Sequence, residues 1–165
     1  MSTDDNYKEK LAVAMAAVAM VKNNDIVGLG TGSTATLAIK ELAKLIKDGL
    51  KIRGVPSSEA TKQLAISLSI PLLELGEVSS IDISIDGADE FTKDLNLIKG
   101  GGGALFREKI VASLSKNRII ITDATKKVEK LGAFKVPIEI NPNAESYVIL
   151  QLKKLNGIPV KRIKD

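Results

Sequence analysis

Short apolar runs rich in β-branched residues recur along this chain, at Ile26–Leu29, 51–55, Ile81–Asp86 and 118–122, with helical spacing between them. Leu37, Leu42, Leu45 and Ile46 set the period of a helix over 35–47, closed by Asp48 and Gly49. Ser57 or Ser58 can cap another helix reaching about residue 69, and a first helix is predicted over 7–21. Few folds accommodate this order. Buried strands need cover on both faces, and right-handed crossovers put the intervening helices there. The reading is an α/β fold, a mostly parallel, Rossmann-like sheet with helices on both faces. Residues 71–75 read as one more short strand. In such sheets ligands bind beyond the carboxyl ends of the strands. Each glycine-rich or acidic motif follows a strand, so the motifs should converge on one rim. The texture changes after residue 130, where 134–140 reads as a strand, 144–155 as a helix and 157–163 as the start of a strand. Residues 1–130 form one unit; residues 131–165 open a smaller α+β domain that is incomplete, with no partner strand in sight.

With 165 residues and 44% hydrophobic content, the chain can bury a real core, built from Ile, Leu, Val and Ala because Trp is absent and aromatics are scarce. It contains neither Cys nor His, which excludes disulfides, thiolate nucleophiles and the usual zinc sites. Proton transfer near neutral pH therefore falls to carboxylates, lysines or tyrosines with adjusted pKa values. Lysines are spread without interleaved aromatics, which argues against nucleic acid as a partner and suits small phosphorylated ligands. The apolar run 11–21, preceded by Lys8 and Lys10, imitates a signal peptide. However, Asp4, Asp5 and Glu9 are wrong for its charged start, and the run is too short to span a bilayer. It reads as an Ala-rich helix buried on most faces, in a cytoplasmic protein without a membrane partner.

Three motifs carry chemistry. Gly28-Leu29-Gly30-Thr31-Gly32-Ser33-Thr34 joins glycines to hydroxyls at a helix start, which suits a phosphate. Its plainer reading is a tight strand–helix turn. It is no dinucleotide fingerprint, because Ser33 stands where the third glycine belongs, and no Gly-Lys-Ser/Thr makes it a P-loop. Asp86-Gly87-Ala88-Asp89-Glu90 gathers three carboxylates past a strand, as a capped surface turn, a magnesium site or a binder of sugar hydroxyls. Lys99 precedes four glycines, Gly100–Gly103, and a helix bearing Arg107, Glu108 and Lys109. A plain helix-dipole role for Glu108 leaves those glycines unexplained. Their unpaired N–H groups, beside a cation and a carboxylate, would suit negative charge developing in a reaction.

These residues together resemble the ribose-5-phosphate isomerases of the A type. The resemblance rests on residues 28–35, Ser57 and Ser58 with Thr61, residues 86–90, 99–105 and 107–110, and Asp123 with Lys126, in order across essentially the whole chain. It implies interconversion of ribose 5-phosphate and ribulose 5-phosphate through a cis-enediolate, with no cofactor and no metal. It implies Glu108 as the base, Lys99 and the amides of Gly100, Gly101, Gly102 and Gly103 at the oxyanion, and Asp86, Asp89 and Lys99 near the ring oxygen, with Asp89 in acid–base help. Substrate binding falls by the same resemblance to Thr31, Gly32, Ser33, Thr34, Asp86, Gly87, Ala88, Asp89, Lys99, Gly100, Gly101, Gly102, Lys126 and Lys10. The family's chains continue past residue 165, where they complete a small lid or dimerisation domain, and a homodimer is implied for the full-length family. The main rival is a non-catalytic sugar-phosphate sensor domain, which would need the phosphate loop but neither Glu108 nor Asp89.

Overall fold

The computed structural model describes residues 3–162. Helix α1 (Thr3–Val18) leads to strand β1 (Ile26–Leu29), helix α2 (Ser33–Lys47), strand β2 (Arg53–Pro56) and helix α3 (Glu59–Ser67). Strand β3 (Ile81–Asp86) is followed by β4 (Glu90–Phe91), β5 (Leu97–Ile98), α4 (Leu105–Leu114), β6 (Ser115–Ile120) and α5 (Glu145–Lys154). Four strands make one parallel sheet in the order β2-β1-β3-β6, with Val27 opposite Ile83 and Ile85 opposite Ile119. The chain steps from β1 to one side for β2 and to the other for β3. That reversal opens a crevice beyond Leu29 and Asp86.

Strand side chains alternate between the two faces. Val27, Leu29, Ile83 and Ile85 join Leu37, Leu42 and Ala65 of α2 and α3 in the main core, with Ala14, Ala17 and Val18 of α1 stacked outside α2. Val55, Ile81 and Val111 form a second, smaller cluster, to which α4 contributes Val111. That helix lies close because β1 offers it a glycine: a Cβ on Gly28 would sit 2.6 Å from Val111 Cγ1 and 2.8 Å from Ser84 Cβ. Gly30 meets the backbone of β3 in the same way, 2.5 Å from Ile85 O and 2.6 Å from Asp86 Cα. These glycines keep strand and helix at van der Waals distance around the crevice.

Several sequence expectations need correction. Helix α1 is not buried on most faces, since Tyr7 and Met15 are more than half exposed. Its Ala14, Ala17 and Val18 stripe is buried, chiefly against α2, while Glu9 and Lys10 reach Ala124 and Asp123. Residues 71–75 form no strand beyond a single bridge from Leu72 to Gly54. The strand expected at 118–122 begins directly after α4 at Ser115, and as a sheet edge it exposes Lys116, Asn117 and Arg118. Residues 134–140 alternate correctly but pair with nothing, and 157–162 are also irregular; Ile163 lies outside the described residues. No described residue from 131 to 162 is buried. The β4–β5 hairpin, unforeseen in the sequence, is antiparallel, with Glu90 opposite Ile98. No helix of the described residues is long and apolar enough to cross a membrane.

Gly30→Ala should destabilise the fold by about 3 kcal/mol, the upper end for overpacking, because its new methyl meets backbone that cannot rotate away. A urea midpoint within error of wild type would contradict the close-approach argument.

Candidate active site

Three charged groups from three elements meet at the crevice. Asp86 ends β3, Lys99 follows β5, and Glu108 stands in the first turns of α4, 4% exposed. Lys99 Nζ lies 2.8 Å from Asp86 Oδ2, donates to Gly87 O at 2.6 Å, and stands 3.4 Å from Glu108 Oε2. An ammonium has three protons, so two are firmly engaged and the third makes the longest contact. Glu108 Oε2 is fully buried and makes no hydrogen bond of proper geometry. Burial lifts the Glu108 carboxyl above its ordinary value, and the Asp86 charge adds to the rise; Lys99 opposes both. These residues, with Gly28, Gly30, Ser57, Leu97 and Arg118, line a cavity of about 260 Å³.

Asp86 is held on its other oxygen, where Oδ1 accepts from Thr31 N at 3.1 Å and Gly87 N at 2.8 Å. The Thr31 hydroxyl turns inward, 2.9 Å from Ser57 Oγ and 3.3 Å from Thr61 Oγ1, and Thr61 Oγ1 donates to Gly30 O at 2.8 Å. Thr31, expected to bind substrate, thus also braces Asp86 and the loop. Ser57, fully buried, supports this hydroxyl, while the capping of α3 falls to Ser58.

A second group gathers at the start of α2, whose N-cap Gly32 provides no side-chain cap and whose first turn has no acid. Lys10 Nζ donates to Ser33 Oγ at 3.1 Å and stands 3.7 Å from Asp123 Oδ2. Burial works to raise the Asp123 carboxyl, but hydrogen bonds from Thr125 and the charges of Lys10 and Lys126 outweigh it and hold it below its usual range. Thr34 is buried in the first turn, while Gly32 and Ser33 are exposed. Lys10 thus stands beside the uncapped amides of α2, an arrangement that suits an anion.

The glycine run is less open than the sequence suggests. Gly103 N donates to Gly100 O at 3.0 Å, and Gly101 N to Asp89 Oδ2 at 2.8 Å. Among the described residues this leaves the amides of Gly100 and Gly102 without acceptors. The expectation that Gly101 and Gly103 offer their amides to an oxyanion is corrected: the run folds into a turn on itself that takes the Gly103 donor, and Asp89 takes that of Gly101. A Cβ on Gly102 would lie 3.5 Å from the Thr31 methyl, so both loops border one crevice with Gly87 and Ala88, which are half-buried.

Sheet order, switch-point crevice and the Asp86–Lys99–Glu108 cluster define a parallel α/β protein organised around a charged cleft. A family model described as ribose 5-phosphate isomerase A (phosphoriboisomerase A) matches residues 53–165. The ribose-5-phosphate isomerase A of Sinorhizobium medicae (strain WSM419) is 48% identical over 151 residues, 92% of this chain and 65% of that protein. The ribose 5-phosphate isomerase A structure from Methanocaldococcus jannaschii has a TM-score of 0.91 at 43% identity, covering 97% of this chain and 72% of that one. A D-ribose-5-phosphate isomerase in complex with phospho-erythronic acid gives 0.86 at 40% identity, over 91% and 67%. The chain belongs to the ribose 5-phosphate isomerase A family, and spans 65% of the length of the Sinorhizobium relative.

The Glu108 carboxyl should titrate above 4.5, its ordinary value, in a carbon-detected NMR titration. Asp86→Asn removes a charge that raises it and should lower the midpoint; Lys99→Met removes the opposing cation and should raise it. A midpoint indifferent to both changes would contradict the electrostatic assignment.

Proposed function

We propose that this chain carries an aldose–ketose isomerase site for ribose 5-phosphate and ribulose 5-phosphate. The observation behind the reading is the orphaned, buried oxygen of Glu108 beside Lys99. Isomerisation through a cis-enediolate removes a proton from one carbon and returns it to the next, so one base must reach both. A carboxylate raised by burial is a stronger base than one in water and carries no hydrogen bond that must first be broken. A sensor domain would have no use for such a group.

In this reading Lys99 gives up its 3.4 Å contact with Glu108 when an oxyanion arrives, because that contact is the weakest of its three. One proton then goes to the developing charge, joined by the free amides of Gly100 and Gly102, while Glu108 is left to act as base. Asp86 keeps the ammonium in place. Asp89 assists ring opening with the carboxylate oxygen that Gly101 leaves free. The phosphate sits at the α2 N-terminus between Lys10, Ser33 and Lys126. Binding of phospho-erythronic acid by a 40% identical isomerase supports this. That ligand joins a phosphate to a planar carboxylate, the shape and charge of an enediolate. No step in the reading calls on a metal or cofactor.

All these groups lie within residues 1–130, which we take as the catalytic unit, with 131–165 the beginning of a small lid or dimerisation domain. The same reading makes the full-length protein a cytoplasmic homodimer.

Glu108→Gln should lower the rate of ribulose 5-phosphate formation, measured by a coupled assay with chelator present, by about 10²–10⁴-fold. Its melting temperature should not fall, because the change removes an ionised group from a buried position. Near-normal turnover would end the proposal.

A further inference from the structure

Among the buried acids of the described residues, Glu90 has no part in the chemistry above, though it is only 4% exposed. Its Oε2 accepts from Gly132 N at 2.7 Å and its Oε1 from Phe134 N. Alternate main-chain amides converging on one carboxylate form an anion nest, here filled from within the protein. Gly132 has φ +124°, a conformation that other residues resist, so the nest is written into the sequence. Hydrogen bonds to an ionised acceptor are roughly twice as strong as neutral ones. The 132–134 turn is therefore anchored to β4 by one side chain.

That turn carries Phe134 onto the glycine run. A Cβ on Gly101 would lie 2.8 Å from Phe134 Cζ and would also collide with the Asp89 carboxylate. Asp89 holds the amide of Gly101, and Arg162 Nη1 donates to its carbonyl at 2.6 Å. The peptide that follows Gly101 carries both the carbonyl held by Arg162 and the amide of Gly102, so fixing Gly101 sets where that amide points. Four glycines in a row have no side chains to hold those planes themselves.

We infer that Glu90 is a positioning residue for the glycine loop, seating Phe134 against Gly101 through the 132–134 turn and so aiming the free amide of Gly102. Its catalytic consequence rests on the isomerase reading; its effect on the loop rests on geometry alone. Asp89 and Glu90, neighbours in sequence, then serve the same loop by different routes, Asp89 through its amide and Glu90 through the ring that covers it.

The test uses the whole chain with Glu90→Gln, whose amide group faces an N–H donor and releases one side of the nest. Amide exchange followed by NMR should show Gly101 exchanging about tenfold faster, with central amides of β1 and β3 unchanged. Turnover per folded molecule should fall about tenfold with KM within twofold, since displacements near 1 Å can cost up to about 10²-fold. Phe134→Ala should have the same effects, and the double variant should be no worse than either single one. Unchanged Gly101 exchange in Glu90→Gln, or additive losses in the double variant, would overturn the inference. If Glu90→Gln does not fold, Phe134→Ala alone decides it by the same exchange measurement. A wild-type chain that fails to isomerise while Gly101 still responds would sink the isomerase reading and leave the loop inference standing.

Discussion

An ammonium shared between two carboxylates is the constraint on which the crevice depends. Lys99 reaches Asp86 at 2.8 Å and Glu108 at 3.4 Å, so it joins the end of a central strand, the exit of the hairpin and the first turns of α4. Without the cation, two acids would face each other with one almost completely buried, an arrangement that like-charge repulsion and desolvation both oppose. Glu108 is held in an environment that suits its neutral form. Lys99 offsets that only in part, and the imbalance is what makes the carboxylate basic.

The backbone had to be cleared to bring these groups so close. Side chains at positions 28 and 30 would collide with Val111, Ser84, Ile85 and Asp86, so the crevice can exist only where β1 carries hydrogen in their place. The same stretch then turns into α2 and leaves that helix uncapped at Gly32. One segment thus lets α4 approach, supports Asp86 through the amide of Thr31, and presents open amides beside Lys10. Position along β1 alone decides which of these tasks a residue performs.

Much of this was legible in the sequence because it depends on local chemistry. The apolar runs at 26–29 and 81–86 became the central strands, and Ser58 caps α3 by accepting from Thr61 N. Residues 30–31 and 86–87 meet because each pair stands at the end of a strand of the sheet, whereas Lys99 and the glycine run are brought to them by the β4–β5 hairpin. Partners distant in sequence were harder to read. The alternation of Phe134, Val136, Ile138 and Ile140 correctly suggests an extended segment but cannot supply a neighbour, and without one no ladder forms. The α1 run is apolar all round, yet its partners, chiefly α2, cover only one stripe of it. Whether a glycine amide is free was also beyond the sequence, because that depended on where Asp89 would place its oxygens.

The glycine run illustrates the balance between openness and control. Backbone donors aimed at a developing charge are useful only if they are already oriented, and glycine is the residue least able to orient itself. The chain resolves this by sacrificing two of the four amides. One closes a turn from Gly103 to Gly100, the other ties Gly101 to Asp89, and the two that remain stand between fixed points. Four free amides would bind an anion by adjusting to it, and that adjustment would consume free energy better spent in the transition state. Two free amides in a braced loop are the stronger arrangement for catalysis, even though they are the weaker one by count.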